Sequence, residues 1–211
     1  MNEYSMMTQE LQDLAALSME HGQIPPGPYG QYHVLRGLRD GNGKGVLAGL
    51  TDISTSTSSK EVDGKMVPCD GELRYRGYDI HDLVDGFVAE QRFGYEEVAY
   101  LLIFGRLPEE EELKEFQKLL GSYRTLPTNF VRDAIMKALG KVMMNTLQRG
   151  VLTLYGYDDM ADNISIPNVI RKCIQLTSNV KLLAVTGYPA YHYHHKGKSI
   201  NINYTKTNLS T

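Results

Sequence analysis

Apolar residues recur at intervals of three or four along most of the chain from Asp79 to His195, which is the period of an α-helix packed on one side. Glycine, proline and paired aspartates interrupt the repeat. The sequence therefore predicts a mainly α fold over this part of the chain. The predicted helices cover residues 78–84, 94–104, 108–120, 128–139, 142–155 and 166–195.

Capping residues support two of these helix positions. Asp79 can cap the first helix, and Ser165 can cap the last one, in which Pro167 falls within the first turn. Gly187 and Pro189 can kink or divide the last helix, because proline lacks the amide hydrogen that a helix interior needs. The tail from 197 to 211 is polar and has no periodicity.

The first 36 residues are predicted to form a helix and a connector. Residues 3–20 carry apolar side chains on roughly one face, with acidic residues between them, and the pattern stops at His21-Gly22. The segment from 24 to 30 holds three prolines and two glycines, so it cannot continue the helix.

Residues 37–77 differ from the rest, since short β-prone pieces alternate there with glycines and serines. We predict strands or hairpins at 46–53, 61–67 and 72–75, and Asp63-Gly64 is a strong turn dipeptide. Residues 54–60 are polar and low in complexity, and we interpret them as a solvated loop. A small β-hairpin element is therefore expected near residues 46–75.

Charge and composition exclude several classes of partner. The chain has 22 basic and 25 acidic residues, a balance that favours neither nucleic acid nor an anionic membrane. It has no run of about 18 to 20 apolar residues and no basic, then apolar, leader at its start. Cys69 and Cys173 lie far apart, so reduced thiols are expected. We expect a cytoplasmic protein.

Two local patterns resemble ligand sites only loosely. The glycines of residues 41–45 lack the GxxxxGK[ST] spacing of a phosphate loop, and we interpret the segment as a flexible turn. Glu109–Glu112 could suggest a metal site, but four consecutive glutamates cannot converge on one side of a helix. Because carboxylates favour the positive end of the helix dipole, we interpret this run as a helix start.

The cluster Tyr191-His192-Tyr193-His194-His195 leaves two interpretations open. Only His192 and His195 share a helix face, and no third ligand lies nearby in the sequence, so a surface cluster is favoured over a metal or substrate contact. Three further histidines lack a nucleophile or carboxylate partner at an informative spacing. They are His21, His33 and His81.

Two long segments carry a more specific signal. Residues 71–80 read GELRYRGYDI and resemble the G-x-L-x-YRGYDI-x-DL segment of citrate synthases. Residues 95–108 read YEEVAYLLIFGRLP and are similar to the FEEVAYLLLFGELP helix of the same family. The resemblance extends over about residues 37–195. It implies a citrate-synthase-like helical large domain, with 1–36 as an amino-terminal helix and connector and 37–211 as a partial large domain, incomplete at the carboxyl end.

Folding signals account for much of both motifs, which identify the family without supplying its chemistry. Arg74 and Arg76 of the first motif are candidates for an interface or anion contact, with solvated surface arginines as the alternative. A further element departs from the family. Where citrate synthases commonly carry HPM-x-x-LR, this chain has VMMNTLQR at 142–149, which indicates a divergent branch.

The resemblance implies an enzyme that condenses acetyl-CoA with oxaloacetate to give citrate and CoA. An aspartate acts as the general base, histidines polarise the carbonyl groups and arginines bind the carboxylates. The family carries these residues in an H-x-x-N-x-S helix, a GP-x-HGGAN loop and later segments, and neither motif occurs before Thr211. We therefore assign no catalytic, cofactor-binding or metal-binding residue, and expect an amino-terminal fragment that is inactive alone.

Two alternatives stay open at this point. One is a 2-methylcitrate synthase that uses propionyl-CoA, because acyl choice depends on pocket residues outside this chain. The other is a non-catalytic helical dimerisation module. The resemblance implies a homodimer, and we expect the chain to expose apolar surface and therefore to oligomerise or dissolve poorly.

Overall fold

A computed structural model describes residues 5–25, 27–32, 34, 50–138 and 140–200. The predicted strand residues 46–49, the glycines of 41–45 and residues 201–211 of the tail lie outside this range. The chain divides into two compact units, one of residues 1–16 with 109–211 and the other of residues 17–108. The division proposed at residue 36 remains a prediction.

A three-stranded antiparallel sheet lies in the second unit. Strand β1 is Ser54–Val62, β2 is Lys65–Tyr75 and β3 is Tyr78–Asp79, in the spatial order β1-β2-β3. Asp63 and Gly64 both have positive φ, at 51° and 73°, and place Val62 opposite Lys65. Two successive left-handed residues match the right-handed twist of the strands they join, so the predicted Asp63-Gly64 turn is confirmed.

The loop predicted at residues 54–60 was wrong, because these residues form most of β1. Serine and threonine alternate there and pair with β2 from Ser54 opposite Tyr75 onward, with an irregularity between Thr57 and Ser59. Their side chains lie mostly in solvent, so the strand has no apolar face to reveal it. The strands also differ from the predicted bounds, since residues 50–53 are outside any strand and 61–67 contain the turn.

Helices α3, Ile80–Ala89, and α4, Tyr95–Phe104, follow the sheet. The Asp79 side chain accepts a hydrogen bond from the amide of His81 at 3.0 Å, so the predicted cap is confirmed. Helix α4 ends at Gly105 with φ 83°, the left-handed position that glycine fills most readily. Leu101 and Phe104 of α4 are fully buried.

The amino-terminal helix α1 is Gln9–His21, and it ends at the predicted residue. Its buried residues are Leu11 and Ala15. The connector that follows contains a short helix α2, Gly27–Gln31, which the prolines do not prevent because Pro28 lies in its first turn.

The remaining helices belong to the first unit. Helix α5 is Glu110–Ser122, α6 is Met143–Leu154 and α7 is Ile166–Lys196. The predicted helix at 128–139 is instead a π-helix, Val131–Ile135, followed by a 3₁₀ turn, Met136–Ala138. A second 3₁₀ turn, Tyr155–Tyr157, follows α6.

Helix α6 packs against α7 around small residues. A Cβ at Gly150 would lie 3.2 Å from the Leu183 Cδ2 atom, so the two helices approach closely at this point. Phe130, Ile135 and Leu154 form one buried cluster with Leu183 and Ala190 of α7. Pro189 lies inside α7 without dividing it. Among the described residues, no helix is both long enough and apolar enough to cross a membrane.

Candidate functional site

A buried ion pair joins α7 to the segment before it. Arg171 is fully buried, and its Nη2 donates to both carboxylate oxygens of Asp158, at 2.9 and 2.7 Å. Its Nε donates to Asn168 Oδ1 at 2.9 Å and its Nη1 to Gln175 Oε1 at 2.8 Å. Both partners lie on the same face of α7 as Arg171, because they are three and four residues away.

Asp158 is the acceptor on which this network converges. Besides Arg171, it accepts hydrogen bonds from Ser5 Oγ at 2.9 Å and from the Met160 amide at 3.0 Å. Burial alone would raise the pKa of Asp158, but the hydrogen bonds from Arg171, Met160 and Ser5 outweigh it and hold the pKa below its usual range. A carboxylate stabilised in this way is a weak proton acceptor, so the geometry favours a structural role over a general base.

A cleft of about 280 Å³ lies beside this network, between α6, the Tyr155–Tyr157 turn and α7. Lys172 borders it, and the Lys172 ammonium donates to the Ala161 carbonyl at 2.8 Å. The walls are mainly apolar, and the volume is at the lower limit of small-molecule pockets. Its lining contains one carboxylate, Asp158, and one cation, Lys172, but Asp158 is paired with Arg171 and Lys172 donates to backbone carbonyls. Its lining comprises Val151, Leu152, Leu154, Tyr155, Asp158, Ala161, Lys172, Gln175 and Leu176.

The histidine cluster lies in the last two turns of α7. The rings of Tyr188 and His192 are 4.3 Å apart, and those of Tyr191 and His195 are 4.7 Å apart. Partial desolvation and nearby lysine charges lower the pKa of His192. No three His, Cys, Asp or Glu side chains among the described residues are placed to hold a metal ion. Residues 193–195 are exposed, and both interpretations of the cluster stay predictions.

Arg76 has a structural role that neither sequence interpretation included. Its side chain is only 7% exposed, its Nη1 lies 2.8 Å from Asp52 Oδ1, and its Nη2 donates to the Leu102 carbonyl at 3.2 Å. Leu102 lies in the last turn of α4, where cations favour the negative end of the helix dipole. Arg74, by contrast, is half exposed and 3.9 Å from Asp79, as expected for a surface arginine.

The backbone explains why the first motif holds Arg76 in this place. Arg76 and Gly77 have φ of 49° and 89° and form a two-residue turn that pairs Tyr75 with Tyr78. The turn aims the arginine at the end of α4, so the YRGYD motif caps the helix made by the second motif. A sequence search for surface charge misses this, because the partner is a backbone carbonyl 26 residues away.

The acidic run begins a helix, as predicted. Glu109 is the N-cap of α5, and it forms a reciprocal capping box with Glu112. Lys114 forms ion pairs with Glu110 at 2.8 Å and with Glu111 at 3.0 Å, so the acidic run stabilises the helix. The divergent segment at 142–149 likewise forms the start of α6, with Thr146 buried against α7.

The family model "Citrate synthase, C-terminal domain" matches residues 41–211. The chain is 28% identical over 144 residues to a citrate/2-methylcitrate synthase of Bacillus subtilis, covering 68% of this chain and 34% of that protein. It is 30% identical over 138 residues to a citrate synthase of Corynebacterium glutamicum, covering 63% and 30%. The chain thus spans about a third of the length of these relatives.

Solved structures give the same result. A citrate synthase of Pyrobaculum aerophilum superposes with a TM-score of 0.53 at 25% identity, over 74% of this chain and 38% of that chain. A citrate synthase of Thermoplasma acidophilum, in complex with carboxymethyl coenzyme A and oxaloacetate, gives a TM-score of 0.55 at 17% identity over 74% and 36%. The second shows the fold alone. The chain has the predicted mainly α fold and both motifs, and the family model matches most of the chain. These findings establish that this chain belongs to the citrate synthase family.

Proposed function

We propose that this chain is part of an enzyme that condenses acetyl-CoA with oxaloacetate to give citrate and CoA. The observation that carries the proposal is the family match over residues 41–211. Curated relatives named citrate/2-methylcitrate synthase and citrate synthase support the same class of reaction here. A cytoplasmic location belongs to this proposal, and the two cysteines, both free, suit a reducing compartment.

A second candidate activity is the condensation of propionyl-CoA to 2-methylcitrate. It is favoured by relatives with that name, among them a 2-methylcitrate synthase of Corynebacterium glutamicum that is 37% identical over 87 residues. The Bacillus relative carries both names. The two activities differ by one methyl group on the acyl chain, and a hydrophobic pocket distinguishes such a difference by about 1–3 kcal/mol.

We propose further that these 211 residues supply scaffold rather than reacting groups. The condensation needs a base that removes a proton from the acyl methyl group, donors that polarise two carbonyls and cations that bind carboxylates. Arg171 and Asp158 have the required chemical types, but each is engaged by the other. On this proposal the chain alone does not release CoA.

A homodimer is also part of the proposal, and an exposed apolar surface on α7 supports it. Side chains at 3-, 4-, 7- and 8-residue spacings along this helix are 36–57% exposed, which leaves a stripe of apolar surface in water. No aspartate or glutamate interrupts it, because α6 and α7 contain neither. We call this set the α7 stripe. It comprises Ile166, Val169, Leu176, Val180 and Tyr188.

A CoA-thiol release assay with oxaloacetate tests the enzymatic proposal. It is run with acetyl-CoA and with propionyl-CoA, on the 211-residue chain and on any longer product of its natural reading frame. Activity only in the longer product supports the scaffold role, and the ratio of kcat/KM for the two thioesters decides between citrate and 2-methylcitrate. Activity in neither protein favours the non-catalytic dimerisation module, and activity of the 211 residues alone refutes the scaffold role.

A further inference from the structure

Ser5 joins two parts of the first unit that are far apart in the sequence. Its Oγ donates to Asp158 Oδ1 at 2.9 Å and accepts from the Asp159 amide at 2.8 Å, across more than 150 residues. Ser5 itself is 2% exposed. A hydroxyl that is buried with a donor and an acceptor on the same loop fixes the position of its own segment as well as of that loop.

The residues after Ser5 are anchored in the same unit. Thr8 Oγ1 accepts from the Leu11 amide at 3.3 Å at the start of α1, and Thr8 also hydrogen-bonds Tyr123 after α5. Leu11 and Ala15 are fully buried. We call residues 5–15 the amino-terminal strap, because polar contacts at its start and apolar contacts along α1 both hold it to the unit.

The strap contacts Asp158, the carboxylate that pairs with Arg171 of α7. Asp158 accepts hydrogen bonds from both Ser5 and Arg171, and Arg171 in turn donates to Asn168 and Gln175. These residues lie on the inner face of α7 between 168 and 175. Val169 and Leu176 occupy the exposed face of the same turns, as part of the α7 stripe.

We propose that the amino-terminal strap is a conformational device that orders the start of α7 through Ser5, Asp158 and Arg171, and thereby strengthens association through the α7 stripe. The second part rests on the homodimer proposed above. When Ser5 is undocked, Asp158 loses one of its donors and water reaches the ion pair, so the helix that carries the stripe becomes less rigid. Coupling of this kind is reciprocal, so dimerisation should in turn protect the strap.

Amide hydrogen exchange on the complete 211-residue chain tests the device in the wild type, in Ser5→Ala and in Ser18→Ala. Ser18 is the matched control, because it lies on α1 and its Oγ donates at 3.3 Å to the Ile103 carbonyl, outside the network. Loss of a buried hydrogen bond to a charged group should speed exchange in residues 8–15 and 166–175 about tenfold in Ser5→Ala. Ser18→Ala should leave both segments unchanged. Sedimentation velocity on the same samples should show about fivefold weaker dimerisation for Ser5→Ala alone.

The outcomes separate the strap from the homodimer. If residues 166–175 of Ser5→Ala exchange at the same rate as in the wild type, the proposed role of the strap is refuted, whether or not the chain dimerises. An equal increase of the exchange rate in Ser5→Ala and Ser18→Ala also refutes it, because the effect would then not depend on the hydrogen bonds of Ser5. The wild type could be monomeric at every concentration while Ser5→Ala speeds amide exchange at residues 166–175. That result would refute the homodimer and support the ordering of α7 by the strap.

Discussion

The Nη2 atom of Arg76 donates a hydrogen bond to the carbonyl of Leu102 at 3.2 Å, which connects the two motifs that mark the family. One motif forms a tight turn and the other forms α4, and the arginine in the turn stabilises the end of that helix. Both motifs are therefore folding elements of the second unit. Their presence identifies the family.

Replacement of Arg76 by alanine should destabilise the end of α4. The change removes a charged donor from the Leu102 carbonyl and an ion pair with Asp52, at a cost of about 1.5–3 kcal/mol. Hydrogen exchange of residues 98–105 measures the effect, which should be more than tenfold. Arg74→Ala is the control, because that side chain is half exposed and should change the same amides little. Equal effects of the two variants would contradict the capping role.

The left-handed end of α4 should be intolerant of a side chain. Gly105→Ala places a Cβ 2.9 Å from the His21 Cβ at φ 83°, and we expect a loss of about 1–2 kcal/mol in unfolding free energy. Gly71→Ala is the matched control, because a Cβ there meets nothing within 4 Å. Thermal unfolding followed by circular dichroism compares the two. If Gly105→Ala and Gly71→Ala have the same melting temperature, the predicted backbone strain at residue 105 is refuted.

Asp158→Asn should be among the most damaging single changes in the first unit. It leaves the buried Arg171 guanidinium without its counter-charge, which costs about 3–5 kcal/mol in unfolding free energy. Asp162→Asn changes an exposed carboxylate that accepts from Tyr155 Oη, and should cost less than about 0.5 kcal/mol. Urea denaturation measures both. Comparable midpoints would show that the ion pair contributes little.

Stability should also depend on pH through Asp158. Since its pKa is lower in the folded protein than in the unfolded chain, at about 3.9, the stabilisation is fully present above that value. It is lost as the pH falls through the lower, folded pKa. Urea denaturation at pH values from 6 to 2 should therefore show the wild-type advantage over Asp158→Asn shrinking below about pH 4. An advantage that stays constant to pH 2 would contradict the assignment.

The helices were predictable because their signals are local. The capping of α3 by Asp79, the end of α4 at Gly105 and the start of α7 after Ser165 each depend on residues a few positions apart. Strand β1 was missed because its alternating serines and threonines have no apolar face, and pairing with β2 decides their structure. The local pattern of 128–139 predicted a regular helix and did not reveal the π-helix at Val131–Ile135.

The polar network of the first unit could not be found in the same way. Arg171 and Asp158 are 13 residues apart, and Ser5 is 153 residues from Asp158. No periodicity relates these positions, and a serine near the start of a chain has no distinctive sequence context. Only the packing of α7 against its neighbours brings them together, and this also explains why Arg171 is buried although arginines are usually exposed.

The central claim is that the 211-residue chain is a scaffold that forms a homodimer through the α7 stripe. Sedimentation velocity of the wild type and of Val180→Asp tests it most directly, with Lys118→Asp, at an exposed position of α5, as a control of altered charge, and with circular dichroism to verify that each protein is folded. The account predicts a wild-type dimer, a monomeric Val180→Asp and a dimeric Lys118→Asp. A wild type that sediments as a monomer at every concentration, or a Val180→Asp that stays dimeric, would contradict it.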